Sequence, residues 1–212
     1  MKKILLLASV VLFTLTSNAQ EKSKGLQGVW FAGGQLQFGS TKTGDVKSTS
    51  NTILPIVGNF VSPSVAIGCG VGVINSTDTN ALGVKTSDAS TFVVEPLVRK
   101  YWNVAGNLYF YGQAALPITS GKEKISDAKT SSVALQFSPG FDYIVNKWMT
   151  VETSFTVVSV GSSTSTPAVG DKTTTFGFNA NPFDLNPQSK DAAGNLAARS
   201  LGGLTLGVKF LF

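Results

Sequence analysis

Five charged side chains on predicted strands are the residues of this chain that could do chemistry. They are Glu95, Arg99, Asp142, Glu152 and Lys209. Paired carboxylates can act as a general acid and base, and buried charges in one interior can carry ions or protons. Opposite charges that meet can also form a structural network in which they neutralise one another. Which of these applies depends on the elements that position the five residues.

Two residue types that catalysis often needs are scarce or missing. The chain has no histidine and a single cysteine, Cys69. The absence of histidine excludes Ser-His-Asp and Cys-His chemistry and most zinc and non-haem iron sites. We therefore predict no catalytic residue, no metal ligand and no cofactor, and we predict that the protein is not an enzyme.

Composition and charge exclude a further class of function. The 17 Lys and Arg residues outnumber the 12 Asp and Glu residues, but they are dispersed among acids. Nucleic-acid binding needs a basic stripe, so we predict no nucleic-acid partner.

Charged residues make up only 14% of the chain, against about 25% in ordinary soluble domains. This low fraction favours a surface that is partly covered by something other than water.

The C-terminal stretch shows the pattern that organises the chain. From residue 203 to residue 212 apolar side chains alternate with small or polar ones, with Leu211 the exception, and this is the period of a β-strand. The apolar row is Leu204, Leu206, Val208, Phe210 and Phe212, and the opposite row includes Lys209 and Gly207. Residues 65–73 alternate in the same way. One face of the strand carries Val65, Ile67, Cys69, Val71 and Val73, and the other face carries glycines and Ala66. Such strands fit a lipid-facing outside and a crowded interior.

Eight stretches carry this pattern, and their connections alternate in length. The first, third, fifth and seventh connections are long and polar, whereas the second, fourth and sixth are tight turns. This asymmetry predicts an all-β, eight-stranded antiparallel up-and-down transmembrane β-barrel with long loops on one rim. The predicted strands are residues 28–40, 52–61, 65–73, 91–102, 108–116, 132–145 and 148–160 and the C-terminal stretch.

The barrel prediction places the five charges inside, at similar heights. An eight-stranded barrel is only wide enough for side chains to fill it, so a structural ion-pair network is favoured over an ion path or an acid–base pair. Pro55, Pro96 and Pro139 would each remove a ladder hydrogen bond, and to accommodate them we expect β-bulges in the half of the barrel near the tight turns. Outward aromatic residues near the tight-turn rim predict an interface girdle. Its members are Trp30, Phe60, Trp102, Phe110 and Tyr143.

The N-terminus predicts export. Lys2 and Lys3 precede an apolar run over residues 4–15, and small residues follow. That is the pattern of a secretory signal peptide, and the run is too short for a transmembrane helix. We expect residues 1–19 to be the signal peptide, with cleavage near Ala19, and residues 20–212 to be the barrel domain.

Several segments together resemble small outer-membrane β-barrel proteins typical of Bacteroidetes, related in architecture to the OmpX and OmpA barrels. They are the signal ending NAQ, ILPIVGNFVSPSVAIGCGVGV, VEPLVRKYWNVAGNLYFYGQAAL, LQFSPGFDYIVNKWMTVETSF and LGVKFLF. The resemblance implies a bacterial outer-membrane location and contact with membrane lipid. It also implies that Val208, Phe210 and Phe212 form the signal read by the barrel-insertion machinery. The insert at residues 181–199 departs from the family pattern.

These observations predict a non-catalytic integral outer-membrane barrel. Its role would be structural, or surface interaction with an extracellular partner through long loops. One alternative is a narrow pore for ions or very small solutes. Another is a secreted soluble barrel that binds an apolar ligand.

Overall fold

A computed structural model of the chain describes residues 25–180 and 205–212. The predicted signal peptide, residues 1–19, and the insert at 181–199 lie outside the described residues. Eleven antiparallel strands are present in the described part, and no helix long and apolar enough to cross a membrane occurs there. The strands are β1 (Trp30–Thr43), β2 (Val46–Ser62), β3 (Val65–Thr79), β4 (Lys85–Ala105), β5 (Leu108–Ala115), β6 (Ile118–Glu123), β7 (Lys129–Asn146), β8 (Met149–Ser154), β9 (Val158–Thr166), β10 (Thr173–Ala180) and β11 (Thr205–Leu211).

The eleven strands occupy eight positions around a closed antiparallel barrel, because three of these positions are each made of two strands. We call each position a wall. β5 and β6 lie end to end between β4 and β7, and β8 and β9 follow each other along the far side of β7. β10 and β11 pair with β9 and β8 and form the last wall. β11 then pairs with β1, and Trp30 and Phe212 exchange backbone hydrogen bonds of 2.8 and 2.9 Å. The predicted all-β, eight-stranded antiparallel barrel is confirmed.

Alternation along the strands separates an apolar outside from a mixed inside. On β3, Ile67, Cys69, Val71 and Val73 are exposed, and the glycines between them face inward. The outward residues of β4 and β7 are also largely apolar, whereas the inward ones include the predicted charges. One member of the β3 row differs from the prediction, because Val65 is buried next to the tight turn, where the register between β2 and β3 shifts.

The polar stretches predicted to be long loops are mostly strand. β1 and β2 pair up to a two-residue turn at residues 44–45, and β3 and β4 pair up to residues 80–84. β6 and β7 turn over residues 124–128, and β9 and β10 turn over residues 167–172. We call these four paired extensions the upper hairpins. The loop prediction was wrong because threonine-rich segments have good β-propensity even where neither face is apolar.

The prolines do not all produce the expected bulges. Pro55 stays in register with Gly34, and Pro96 stays in register with Cys69. Opposite Pro139 the neighbouring wall is irregular, because residues 155–157 face only two residues of β7. Further shifts lie beside the three tight turns, at Phe60/Ser62, Asn103/Ala105 and Ile144/Asn146. Register shifts therefore occur in the predicted half of the barrel, but Pro55 and Pro96 themselves lie in regular register.

Candidate functional site

Four of the five predicted charges meet in the lower half of the lumen, on four different strands. Arg99 of β4 donates from Nη1 to Glu152 Oε2 of β8 at 2.7 Å and from Nη2 to Glu152 Oε1 at 3.3 Å. Its Nε also donates to Gln113 Oε1 of β5 at 2.6 Å. This bidentate arrangement is the geometry in which Arg binds a carboxylate most strongly.

Lys209 of β11 joins the two halves of the network. Its Nζ forms a salt bridge with Asp142 Oδ2 of β7 and lies 3.5 Å from Glu152 Oε2. It also donates to the hydroxyl of Tyr101 at 3.2 Å. Arg99, Asp142 and Lys209 are all buried, so two cations and two carboxylates neutralise one another out of water.

Four aromatic rings close the lumen beneath the charges. Phe31 and Phe60 have ring centroids 5.9 Å apart, Phe60 and Tyr101 are 5.2 Å apart, and Tyr101 and Tyr111 are 5.5 Å apart. We call this row the aromatic floor. All four rings are buried, and Leu211 packs against them. The floor fills the tight-turn end of the barrel.

Glycines opposite the floor make room for its rings. A Cβ on Gly58 would overlap the ring of Phe31, and one on Gly140 would overlap the ring of Tyr111. The cations lie against two rings of the floor, with the Arg99 guanidinium 4.9 Å from the Tyr111 centroid and Lys209 Nζ 5.2 Å from that of Tyr101. Cation–π contact adds to the attraction between the two layers.

Above the network the lumen widens into a polar cavity of about 80 Å³. We call it the cup. Its lining includes Glu95, Arg99, Gln113, Gln136 and Ser138. By volume it holds several water molecules. It ends downward at the ion pairs and the aromatic floor.

The structure brings together four of the five predicted luminal charges and sets the fifth apart. Arg99, Asp142, Glu152 and Lys209 all lie inside the lumen and pair with one another there. Glu95 lines the cup above them and, within the described part of the chain, forms no hydrogen bond or salt bridge. The carboxylates of Asp142 and Glu152 are both paired with cationic side chains. This geometry neutralises the buried charges, as a structural ion-pair network does.

Sequence reasoning missed the floor and misplaced one of its rings. Phe60 was predicted to point outward in the girdle, but it is completely buried in the lumen. That prediction was wrong because both faces of β2 are apolar here, with Val61 and Val57 on the outer face. The inward positions of Tyr101 and Tyr111 were the available signal for the floor.

The other four predicted girdle residues lie on the outside near the tight-turn rim. Trp30, Trp102 and Tyr143 are exposed, and the ring of Phe110 lies 5.6 Å from that of Trp102. Trp148 belongs to the same band, since it stacks on Phe210 at 5.9 Å. Outward residues at the C-terminus are Val208, Phe210 and Phe212. Their part in lipid contact and assembly stays a prediction.

Two of the upper hairpins are tied by carboxylates on the neighbouring strands β4 and β6. Glu123 Oε1 accepts a 2.7 Å hydrogen bond from the backbone N–H of Asp88, and Glu123 Oε2 accepts one from Ser126 N. These bonds lower the pKa of Glu123 from 4.5 to about 2. Asp88 pairs with Lys124 and Lys85, each at 3.1 Å, and hydrogen bonds from these cations lower its pKa. The rim is thus held by mixed charges.

The fold and the lumen define a class, the closed eight-stranded antiparallel barrel with a lumen filled at one end by its own side chains. Neither the models of known protein families nor the sequences of curated proteins match this chain. In the described residues no three His, Cys, Asp or Glu side chains are placed to hold a metal ion. The chemistry of the site therefore has to be argued from its own geometry.

Proposed function

We propose that the protein is a non-catalytic integral outer-membrane barrel, with a structural role and with its upper hairpins presented for contact outside the cell. The observation that carries this proposal is the outer face. Large apolar side chains are exposed around the wall, and aromatic ones gather at the tight-turn end. Exposed apolar surface of this extent is costly in water.

The height of the apolar band supports a membrane location. On β4 the outward row from Phe92 to Trp102 spans ten residue steps, which at about 3.4 Å per residue and a tilt near 45° is about 24 Å. This is the height of the band on outer-membrane barrels. The charge in the row, Lys100, lies near the tight turn and donates to Ser64 Oγ at 2.7 Å.

The lumen supports a structural role over the two alternatives. A pore needs a continuous aqueous path, but the aromatic floor and the ion pairs fill the tight-turn end of the barrel. A soluble barrel that binds an apolar ligand needs an apolar cavity. The lining of the cup instead includes charged and amide side chains. Neutralised buried charges in a packed lumen hold the walls in one arrangement.

Thiol labelling tests the proposed location. Cys69 is exposed on the outer face of β3, at mid-height in the apolar band. In reconstituted lipid vesicles a charged, water-confined maleimide should leave Cys69 unlabelled, and should label it after denaturation. The control is Val169→Cys in a Cys69→Ala background, because Val169 lies at the tip of the β9–β10 hairpin and should label at once. Ready labelling of Cys69 in the folded protein would reject the membrane location.

A further inference from the structure

One charged side chain stands in the apolar outer face of β4 near the tight turns. Lys100 belongs to the outward row of β4, between Val98 and Trp102. It is in register with Val65 of β3 and with Gly112 of β5, and neither of these can balance its charge. A charged group on an apolar surface is costly unless it reaches a polar phase or a counter-charge.

The Lys100 side chain is held at the rim by the turn between β2 and β3. Its Nζ donates to Ser64 Oγ at 2.7 Å. Ser64 is itself fixed, because its carbonyl oxygen accepts a 2.7 Å hydrogen bond from the backbone N–H of Tyr101. The ammonium group of Lys100 therefore lies beside the turn, while its methylene chain covers the apolar wall, as the chains of lysines at membrane interfaces do.

The charge of Lys100 has no counter-charge within residues 25–180 and 205–212. Its described partner is the neutral Ser64 hydroxyl, so two of the three N–H donors of the ammonium group stay unused. The Ser64 hydroxyl accepts the bond from Lys100 and keeps its own proton to donate. By contrast, four other lysines pair with carboxylates, namely Lys85, Lys122, Lys124 and Lys209. Lys100 and Ser64 thus present positive charge and hydrogen-bond donors together, which is what an anion binds.

The outer face leaves room for a ligand beside Lys100. The residues in register with it on the next two walls are Gly112 and Pro139, neither of which has a long side chain. A Cβ on Gly112 would meet only the ring of Trp102, at 3.6 and 3.8 Å. That ring bounds the space on the tight-turn side, and the outward row of β4 continues with Val98 on the other side. A ligand bound here has aromatic rings at one end and the apolar band at the other.

We propose that Lys100 and Ser64 bind the phosphate group of a phospholipid. The phosphate oxygens accept hydrogen bonds from Lys100 Nζ and Ser64 Oγ, and an acyl chain lies along the outward row of β4 from Val98 toward Phe92. The level fits, because Trp102 belongs to the aromatic row that marks the headgroup boundary. The proposal rests on the proposed outer-membrane location, and it adds the class of lipid that this wall binds and the place where the lipid lies.

Photo-crosslinking of the full-length protein in dodecyl maltoside micelles tests the site, because this detergent carries no phosphate. The probe is a phosphatidylglycerol with a diazirine in one acyl chain, and the crosslinked residues are mapped by mass spectrometry. We expect crosslinks concentrated on β4 and β5 around Lys100, and competition by unlabelled phosphatidylglycerol but not by a diacylglycerol with the same chains. Equal competition by the diacylglycerol, or crosslinks spread evenly around the wall, would overturn the proposal.

Charge variants of Lys100 test the phosphate contact. Lys100→Met keeps the length of the side chain and removes its charge, so probe affinity should fall about fivefold, the effect of one basic residue beside a lipid surface. Lys100→Arg keeps the charge and should bind at least as tightly as the wild type. The matched control is Lys147→Met, at the exposed turn between β7 and β8, which should bind as the wild type does. Unchanged affinity in Lys100→Met, or an equal loss in Lys100→Arg or Lys147→Met, contradicts the proposal.

Thiol labelling of Cys69 separates failure of this site from failure of the membrane location. If Cys69 is protected in lipid vesicles but no crosslink forms near Lys100, the phosphate site is wrong and the membrane location stands. If Cys69 labels readily in the folded protein, the membrane location is wrong and the phosphate site fails with it.

Discussion

Replacing Lys209 by methionine should destabilise the barrel strongly. The Lys209 side chain is 2% exposed, and its ammonium group is the described hydrogen-bond partner of Asp142, which is itself buried. Methionine fills similar space but leaves the Asp142 carboxylate without a counter-charge. Breaking a buried pair on one side costs about 3–5 kcal/mol, so the equilibrium constant for unfolding should rise roughly a hundred- to several-thousand-fold.

The assay is urea-induced unfolding in lipid bilayers, followed by tryptophan fluorescence. Adding Asp142→Asn to Lys209→Met should recover a large part of the lost free energy, because the amide carries no charge to leave unpaired. A matched surface control is Lys122→Met, which removes the exposed 2.6 Å ion pair with Asp127. Exposed pairs are worth about 0–1 kcal/mol. If Lys209→Met costs no more than Lys122→Met, or if the double variant is as unstable as the single one, the buried network does not hold the walls together.

Two further predictions concern the floor and the rim. Gly58→Ala should cost about 1–3 kcal/mol in the same unfolding assay, because its Cβ would overlap the Phe31 ring and overpacking carries that cost. Gly177→Ala, where an added Cβ meets nothing within 4 Å, should change stability little, and equal effects would contradict the packing argument. The Glu123 tie between hairpins should be intact above about pH 4.5 and lost as pH falls toward 2, since its folded pKa is lowered to about 2. The protection factor of Asp88 N–H, which compares its exchange rate with the intrinsic rate at the same pH, should therefore fall over that range in the wild type, and should already be low at pH 7 in Glu123→Ala, which removes the acceptor. A wild-type protection factor that does not change with pH would contradict the tie.

Alternation was enough to predict the wall and most of the luminal charges. When a strand has one apolar and one polar face, assigning the apolar face to the outside also assigns the polar face to the lumen. Arg99 and Asp142 could therefore be placed inside from the sequence. Phe60 was misplaced because β2 is apolar on both faces, and period two then says nothing about which face is inside. The hairpin extensions were missed because polar strands lack the apolar row that marks the others.

Contacts across the lumen were beyond sequence reasoning. Whether Arg99 meets Glu152 rather than Asp142 depends on the relative heights of walls that are not neighbours. Those heights follow from the stagger accumulated around the whole barrel. The same holds for Phe31, Tyr101 and Tyr111, whose inward positions do not by themselves say that the rings touch.

The turn at residues 44–45 joins two strands whose pairing continues unbroken from the tip down to the level of the floor. Neither the rings that seal the base nor the four neutralised charges draw on any residue near that tip. The base can therefore keep its shape while the tips change in length and sequence. The same separation predicts that a foreign peptide spliced in at this turn would be held well clear of the parts on which folding depends.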